Sequence, residues 1–352
     1  MAEYIDNFPD RIVTTDNGDY LYFGGTAYLG LQKNKDFIEH YTNNITHYGT
    51  HYGASRVSNV RFSIYDKAEQ HLARYIGSQA CITLSSGYMA SQLVSQYFSN
   101  SEAINYRTPY SHDALWAAGQ LKLKSYEELK DLMNQNPKDQ PVVIYLDSID
   151  FMGVNYPDFK GLKSLNLKNA IVVVDDSHGL GVIGPKGAGV FQHLKSLKMK
   201  ELIISGSLGK GFGLQFGGVF GTRERIEVLG QFPIFGGSSP ASPATMATLM
   251  QTQQIVEEQR KKLHNNHSLF SSLVHSTGLF KHFGDHPSFS FSNEKLTNYL
   301  YDHKIIVTSF NYPTKDSPIM SRIVISAFHT TEDIKTLAHV INNYKKTSET
   351  NR

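Results

Sequence analysis

The chain has 352 residues, 40% of them hydrophobic, and a formal net charge of +2, which is enough apolar material for one large and one small domain. A near-neutral balance gives no basis for a nucleic-acid or anionic-membrane partner. The one cysteine, Cys81, excludes an internal disulfide framework and suits a reducing, cytoplasmic setting. No secretory leader and no metal site are expected, and no apolar run approaches the roughly 20 residues of a membrane helix.

In chain order, residues 1–60 read as an amino-terminal arm, 61–245 as a large α/β domain, and 246–352 as a long connecting helix with a small domain. Asp19 to Phe23 suggests a strand and Asp36 to His47 a helix. Tyr48 to Ser58 is too rich in Gly, Ser and Thr for either. Ile64, Ala68, Leu72 and Tyr75 then form an apolar stripe at helical spacing over Ser63 to Tyr75. Ala80 to Leu84 is a short buried strand. Behind it, Ser85, Ser86 and Gly87 open a helix that runs through Tyr88 to Phe98. Free N–H groups at such a helix start suit an anion, and an ordinary capping serine fits the same residues.

Glu102 to Tyr106 reads as a strand, and Ser111 begins a helix with His112 in its first turn. Trp116 is a core or interface residue. Ser125 and Glu128 form a capping box for the helix through Met133, and Pro141 to Leu146 is another buried strand. The β-branched run Ile171 to Val174 ends in Asp175, with His178 three places on. A carboxylate there stands at the carboxyl edge of a parallel sheet, where α/β proteins bind ligands; a turn residue is the plainer alternative.

Leu202 to Ile204 is a strand that runs into Ser205, Gly206 and Ser207, and a lone amine, Lys210, follows between Gly209 and Gly211. Lysine is a covalent catalyst through a Schiff base with a carbonyl, pyridoxal phosphate being the commonest carbonyl cofactor held so. Gly-Lys-Gly alone also fits a solvated surface turn; Asp175 and His178 one strand earlier make the pattern more specific.

Farther on, Phe216 to Gly221 is a strand and Arg223 to Leu229 a helix, followed by a structureless Gly/Ser/Pro segment over Phe235 to Pro243. Met246 to Leu273 reads as one long helix. The small domain takes strands at Pro287–Ser292, Ile305–Phe310 and Arg322–Ala327, and a helix at Glu294–Tyr301. A closing helix is capped by Thr330 with Asp333.

Val-Asp-Asp-Ser-His-Gly-Leu-Gly-Val-Ile-Gly-Pro-Lys-Gly-Ala-Gly over 174–189, with Ser-Leu-Gly-Lys-Gly-Phe-Gly over 207–213, resembles the α-oxoamine synthase family. The resemblance runs from about Gly49 to His329. It implies an α/β, fold type I pyridoxal-phosphate transferase with a mostly parallel seven-stranded sheet in the large domain and a small carboxy-terminal α/β domain. In that reading Lys210 carries pyridoxal 5'-phosphate and moves protons at the substrate's α-carbon. Asp175 faces the ring nitrogen, His178 bonds the ring's phenolic oxygen and His112 stacks on the ring. Ser86, Gly87, Tyr88 and Ser207 hold the phosphate, and Ser239 reaches the phosphate of the neighbour in a homodimer with shared active sites. Arg322, in a stretch similar to the family's Arg-x-x-x-Ser-Ala-x-His, grips the amino acid's carboxylate.

The implied reaction is a decarboxylating condensation of an amino acid with an acyl-CoA. An aminotransferase or amino-acid lyase on the same scaffold is the alternative, since the cofactor site does not encode the reaction. A cofactor-binding protein without turnover is a further one, against which the intact Lys210 argues. One segment departs from the family. Its glutamate position falls at Leu146 and its serine position at Asp150 or Ser148, close to where cofactor and substrate are expected.

Overall fold

The computed structural model describes residues 3–117, 122–135, 140–312 and 314–350. Its strands, in chain order, are β1 (Ile12–Thr15), β2 (Gly18–Phe23), β3 (Ala80–Leu84), β4 (Ile104–Arg107), β5 (Lys122–Leu123), β6 (Val142–Asp147), β7 (Ala170–Asp175), β8 (Glu201–Ser207), β9 (Gly217–Gly221), β10 (Lys281–Phe283), β11 (His286–Phe291), β12 (Ile305–Asn311) and β13 (Ile319–Val324). The chain forms two compact units, residues 34–256 and residues 1–33 with 257–352.

The larger unit is built on a seven-stranded sheet of order β3-β9-β8-β7-β6-β4-β5. β9 runs antiparallel to both its neighbours, β3 and β8, and every other pairing is parallel. This is the mostly parallel sheet that the family resemblance implies, and its strands are unbroken apolar runs because strands covered on both faces lose the alternating pattern. Leu93 and Val94, on the helix Gly87–Ser99, pack with Val143, Val173, Ile203 and Val219, all of them fully buried. Each such side chain contributes about 1.5–3 kcal/mol relative to exposure.

Local signals act where expected. Ser125 Oγ accepts from Glu128 N while the Glu128 carboxylate accepts from Ser125 N, at 3.2 and 2.8 Å. Thr330 and Asp333 make the same reciprocal pair ahead of the helix Thr331–Thr350.

The smaller unit has a six-stranded sheet of order β1-β2-β12-β13-β11-β10. Its first two strands come from the stretch expected to be an arm; β2 pairs parallel with β12 through Leu21, Tyr22 and Phe23. The long helix over Met246–Leu273 is also not continuous. Helix Pro243–Gln251 stops at Thr252, and a second helix spans Gln253–Val274. Thr248 and Thr252 turn their hydroxyls onto the carbonyls four residues back, at 2.8 Å each. Such back-bonding threonines bend helices. The helix expected from Ser111 is a single 3₁₀ turn, Asp113–Leu115, in its described part. The segment expected to be structureless, Phe235 to Pro243, begins inside a helical turn, Pro233–Gly237.

Candidate active site

Because β9 opposes both β3 and β8, strands β3 to β8 all run the same way and their carboxyl ends share one edge. Nearly all the chemistry-bearing residues follow directly behind those ends. Asp175 ends β7, Lys210 follows β8, Ser86 to Tyr88 follow β3, and His112 follows β4.

Lys210 lies in the turn Gly209–Phe212, with Nζ 2.9 Å from Nε2 of His178. The glycines around it answer to close packing. A Cβ on Gly211 would stand 2.0 Å from the Leu180 carbonyl oxygen, and one on Gly181, which also has φ +86°, would stand 2.9 Å from the Gly211 Cα. The loop after β7 and the lysine turn therefore lie backbone to backbone.

Asp175 is buried, and its position is fixed. Oδ1 accepts from Ser177 N at 2.9 Å and Oδ2 from Ser91 Oγ at 3.4 Å, while Ser91 Oγ is 2.9 Å from Ser205 Oγ. Its neighbour Asp176 has a different part. Fully buried, it accepts from Ser148 Oγ at 2.6 Å and Val190 N at 2.9 Å. A Cβ on Gly179 or Gly189 would come within 2.1 or 2.0 Å of its carboxylate oxygens. Desolvation pushes its pKa up to about 7. One acid of the Asp-Asp pair thus stands at the site and the other ties the glycine loop to β6.

Ser86 caps the helix Gly87–Ser99, its Oγ accepting from Met89 N at 3.2 Å. Gly87 backs onto Ser207: an added Cβ would lie 2.3 Å from Ser207 N. Ser207 N in turn donates to Ser177 Oγ at 2.8 Å. The structure so brings Ser86, Gly87 and Ser207 together, with Tyr88 exposed beside them.

His112 caps its own 3₁₀ turn, Nδ1 accepting from Ala114 N at 3.0 Å, which leaves the ring hydrogen on Nε2. Its backbone N donates to Asp147 Oδ1 at 2.8 Å. Ser239 is exposed beyond the turn Pro233–Gly237. Arg322 belongs to the other unit, on β13 opposite Ser290 and Thr308, where burial lowers its pKa and the nearby Tyr28 and Tyr312 raise it.

Leu146 is fully buried in β6, and the acid at the sheet edge is Asp147, in register with Asp175. The Asp150 carboxylate accepts from the backbone of Met152, Val154 and Asn155 at 2.7–3.1 Å. Sequence reasoning gave Asp147 and Asp176 no part of their own. An acid directly after an apolar run was the available signal for Asp147.

A profile described as aminotransferase class I and II matches residues 22–341. The chain belongs to this family. Relatives include the 8-amino-7-oxononanoate synthases of Thermosipho melanesiensis, 28% identical over 87% of this chain and 83% of its own length, and Petrotoga mobilis, 29% identical over 87% and 84%. Among solved structures, serine palmitoyltransferase from S. paucimobilis, with PLP and myriocin bound, is 19% identical with a TM-score of 0.82, covering 98% of this chain and 92% of that one. The 8-amino-7-oxononanoate synthase of Francisella tularensis is 21% identical with a TM-score of 0.71, covering 94% and 99%. The fold of this family member is accordingly that of the fold type I pyridoxal-phosphate transferases.

Proposed function

We propose that this chain is a pyridoxal-phosphate-dependent acyltransferase of the α-oxoamine synthase type, which condenses an amino acid with an acyl-CoA and releases carbon dioxide. The observation that carries the reading is the gathering of Lys210, His178, Asp175, Ser86, Gly87 and Ser207 at one edge of the parallel sheet. The curated relatives, named as 8-amino-7-oxononanoate synthases, supply the reaction class.

The residues fit the cofactor. Lys210 offers an amine against an imidazole, and Asp175 offers a buried carboxylate. Ser86, Gly87 and Tyr88 open a helix of 13 residues whose first N–H groups favour a phosphate. Gly87 keeps Ser207 close enough to add its hydroxyl. When bound, pyridoxal phosphate supplies an electron sink for negative charge at the amino acid's α-carbon. Asp175 would face the ring nitrogen and favour its protonated form. His178 orients the Lys210 amine and would bond the ring's phenolic oxygen, and His112 would cover a ring face. Lys210 removes the α-proton and later returns one, while Arg322 grips the substrate carboxylate by a bidentate contact.

The division of labour between subunits follows the same reading: a homodimer in which Ser239 completes the neighbour's phosphate site. No described helix is long and apolar enough to cross a membrane.

Transamination is the second reading, favoured by the departure at Leu146–Asp150. Mass spectrometry of products from a panel of amino acids and acyl-CoAs separates the two. The condensation reading expects an aminoketone one carbon dioxide lighter than the sum of its acyl and amino-acid parts. A keto acid formed from the amino acid, with the thioester untouched, contradicts it.

A further inference from the structure

The segment that departs from the family carries a strained aromatic residue against the histidine that meets the lysine. Phe151 has φ +55°, in the left-handed region that L side chains avoid. The same turn places a glycine at 153, φ +69°, where the backbone alone needs that conformation. At 151 it holds a phenyl ring there instead. That ring meets the imidazole of His178 edge-on, with centroids 4.7 Å apart and planes at 83°, and His178 Nε2 lies 2.9 Å from Lys210 Nζ.

The turn is over-determined, as a strained residue requires. Asp150, buried, accepts from Met152 N, Val154 N and Asn155 N. Asn155 Nδ2 donates to the Asp147 carbonyl at 2.8 Å, and Tyr126 OH donates to Asn155 Oδ1 at 2.6 Å. Ser148 N donates to the Asp175 carbonyl at 2.9 Å, which fixes the root of the turn to β7. None of these bonds needs an aromatic side chain at 151.

We propose that Phe151 is a positioning residue: its ring, carried by the turn that Asp150 organises, fixes the imidazole of His178 against the amine of Lys210. An edge-to-face pair resists rotation of the imidazole about its Cβ–Cγ bond, since turning either ring replaces an attractive contact by a repulsive one. The inference rests on reading Lys210 and His178 as the reactive pair. It concerns their alignment and not the reaction that follows.

The test uses the full-length chain freed of cofactor and reads the labelling of Lys210 by trinitrobenzenesulfonate, by peptide mass spectrometry across a pH series. The titratable groups placed beside that amine, the His178 imidazole and Asp147, are kept in every variant. Phe151→Gly removes the ring, and glycine accepts φ +55° without strain, so this variant keeps the turn. Its Lys210 labelling rate at neutral pH should change by at least about threefold, a displacement of roughly half a pH unit or more. Phe151→Leu, which fills the space without an aromatic edge, should move the same way. Phe151→Tyr should keep the wild-type profile. An unchanged profile in Phe151→Gly, or an equal displacement in Phe151→Tyr, overturns the proposal. Cofactor attachment at Lys210, read separately by borohydride fixation, decides the underlying assignment, so the two can fail independently.

Discussion

Asp147 and Asp175 stand in register at the ends of the neighbouring parallel strands β6 and β7. Burial, and then the charge of Asp175, raise the pKa of Asp147 well above the carboxylate range, so the pair avoids carrying two full negative charges side by side. Asp175 is fixed by Ser177 N and Ser91 Oγ.

The first prediction follows from that asymmetry. Asp175→Asn should still bind cofactor but lose roughly a hundredfold or more in turnover, the usual cost of removing a charge aimed at the reacting system. Asp147→Asn keeps an acceptor for His112 N and should stay within about tenfold of wild type. Steady-state rates of the two variants, side by side, check this; equal losses would contradict the division.

Gly87 gives a steric test of the phosphate site. An alanine there would put Cβ 2.3 Å from Ser207 N, and that atom is backbone, which cannot swing aside. Gly87→Ala should separate the helix start from Ser207, weaken cofactor binding at least about tenfold and cost about 1–3 kcal/mol of stability. Equilibrium titration with pyridoxal phosphate and a denaturant melt read the two effects.

Asp176 predicts a stability change of unusual sign for an acid. Its folded pKa, about 7, is above its unfolded value. The folded state therefore holds the proton more tightly. The stabilisation is fully present below about pH 4, the unfolded value, and is lost as pH rises through about 7. Asp176→Asn should flatten this limb, because an amide keeps most of the hydrogen bonds without a charge. Denaturant melts across that window are the check.

His329 predicts the reverse. It is buried, its Nδ1 accepts from Ser326 N and its Nε2 donates to the Tyr22 carbonyl, and desolvation lowers its pKa to about 4. Its stabilisation is present above about pH 6.5, the unfolded value, and is lost as pH falls through about 4. His329→Gln should be less stable than wild type at neutral pH by about 1–3 kcal/mol, yet lose less on acidification. Melts of both proteins at neutral and acid pH decide it.

How far the sequence discloses this arrangement depends on the range of the forces concerned. The run Ile171 to Val174 and the capping boxes at Ser125 and Thr330 are local, and they could be read directly. The pairing of β2 with β12 joins residues nearly the whole chain apart, and no periodicity encodes it. The break at Thr252 depends on two threonine hydroxyls choosing backbone carbonyls over solvent. Asp175 and Lys210 stood out because a charge ended an apolar run or sat among glycines. Asp147 also ended an apolar run, but the expected alignment drew attention to Leu146. Phe151 gave no signal at all, because its backbone conformation follows from the bonds that Asp150 makes.

The central claim is the reaction, and its stoichiometry tests it most directly. Purified protein loaded with pyridoxal phosphate is mixed with an amino acid and an acyl-CoA, each alone and together, and free CoA thiol and carbon dioxide are measured. The account predicts that the two appear in equal amounts and only when both substrates are present, because bond formation to the acyl group and loss of the carboxylate belong to one turnover. Amino-group transfer to a keto acid without release of CoA thiol would contradict it.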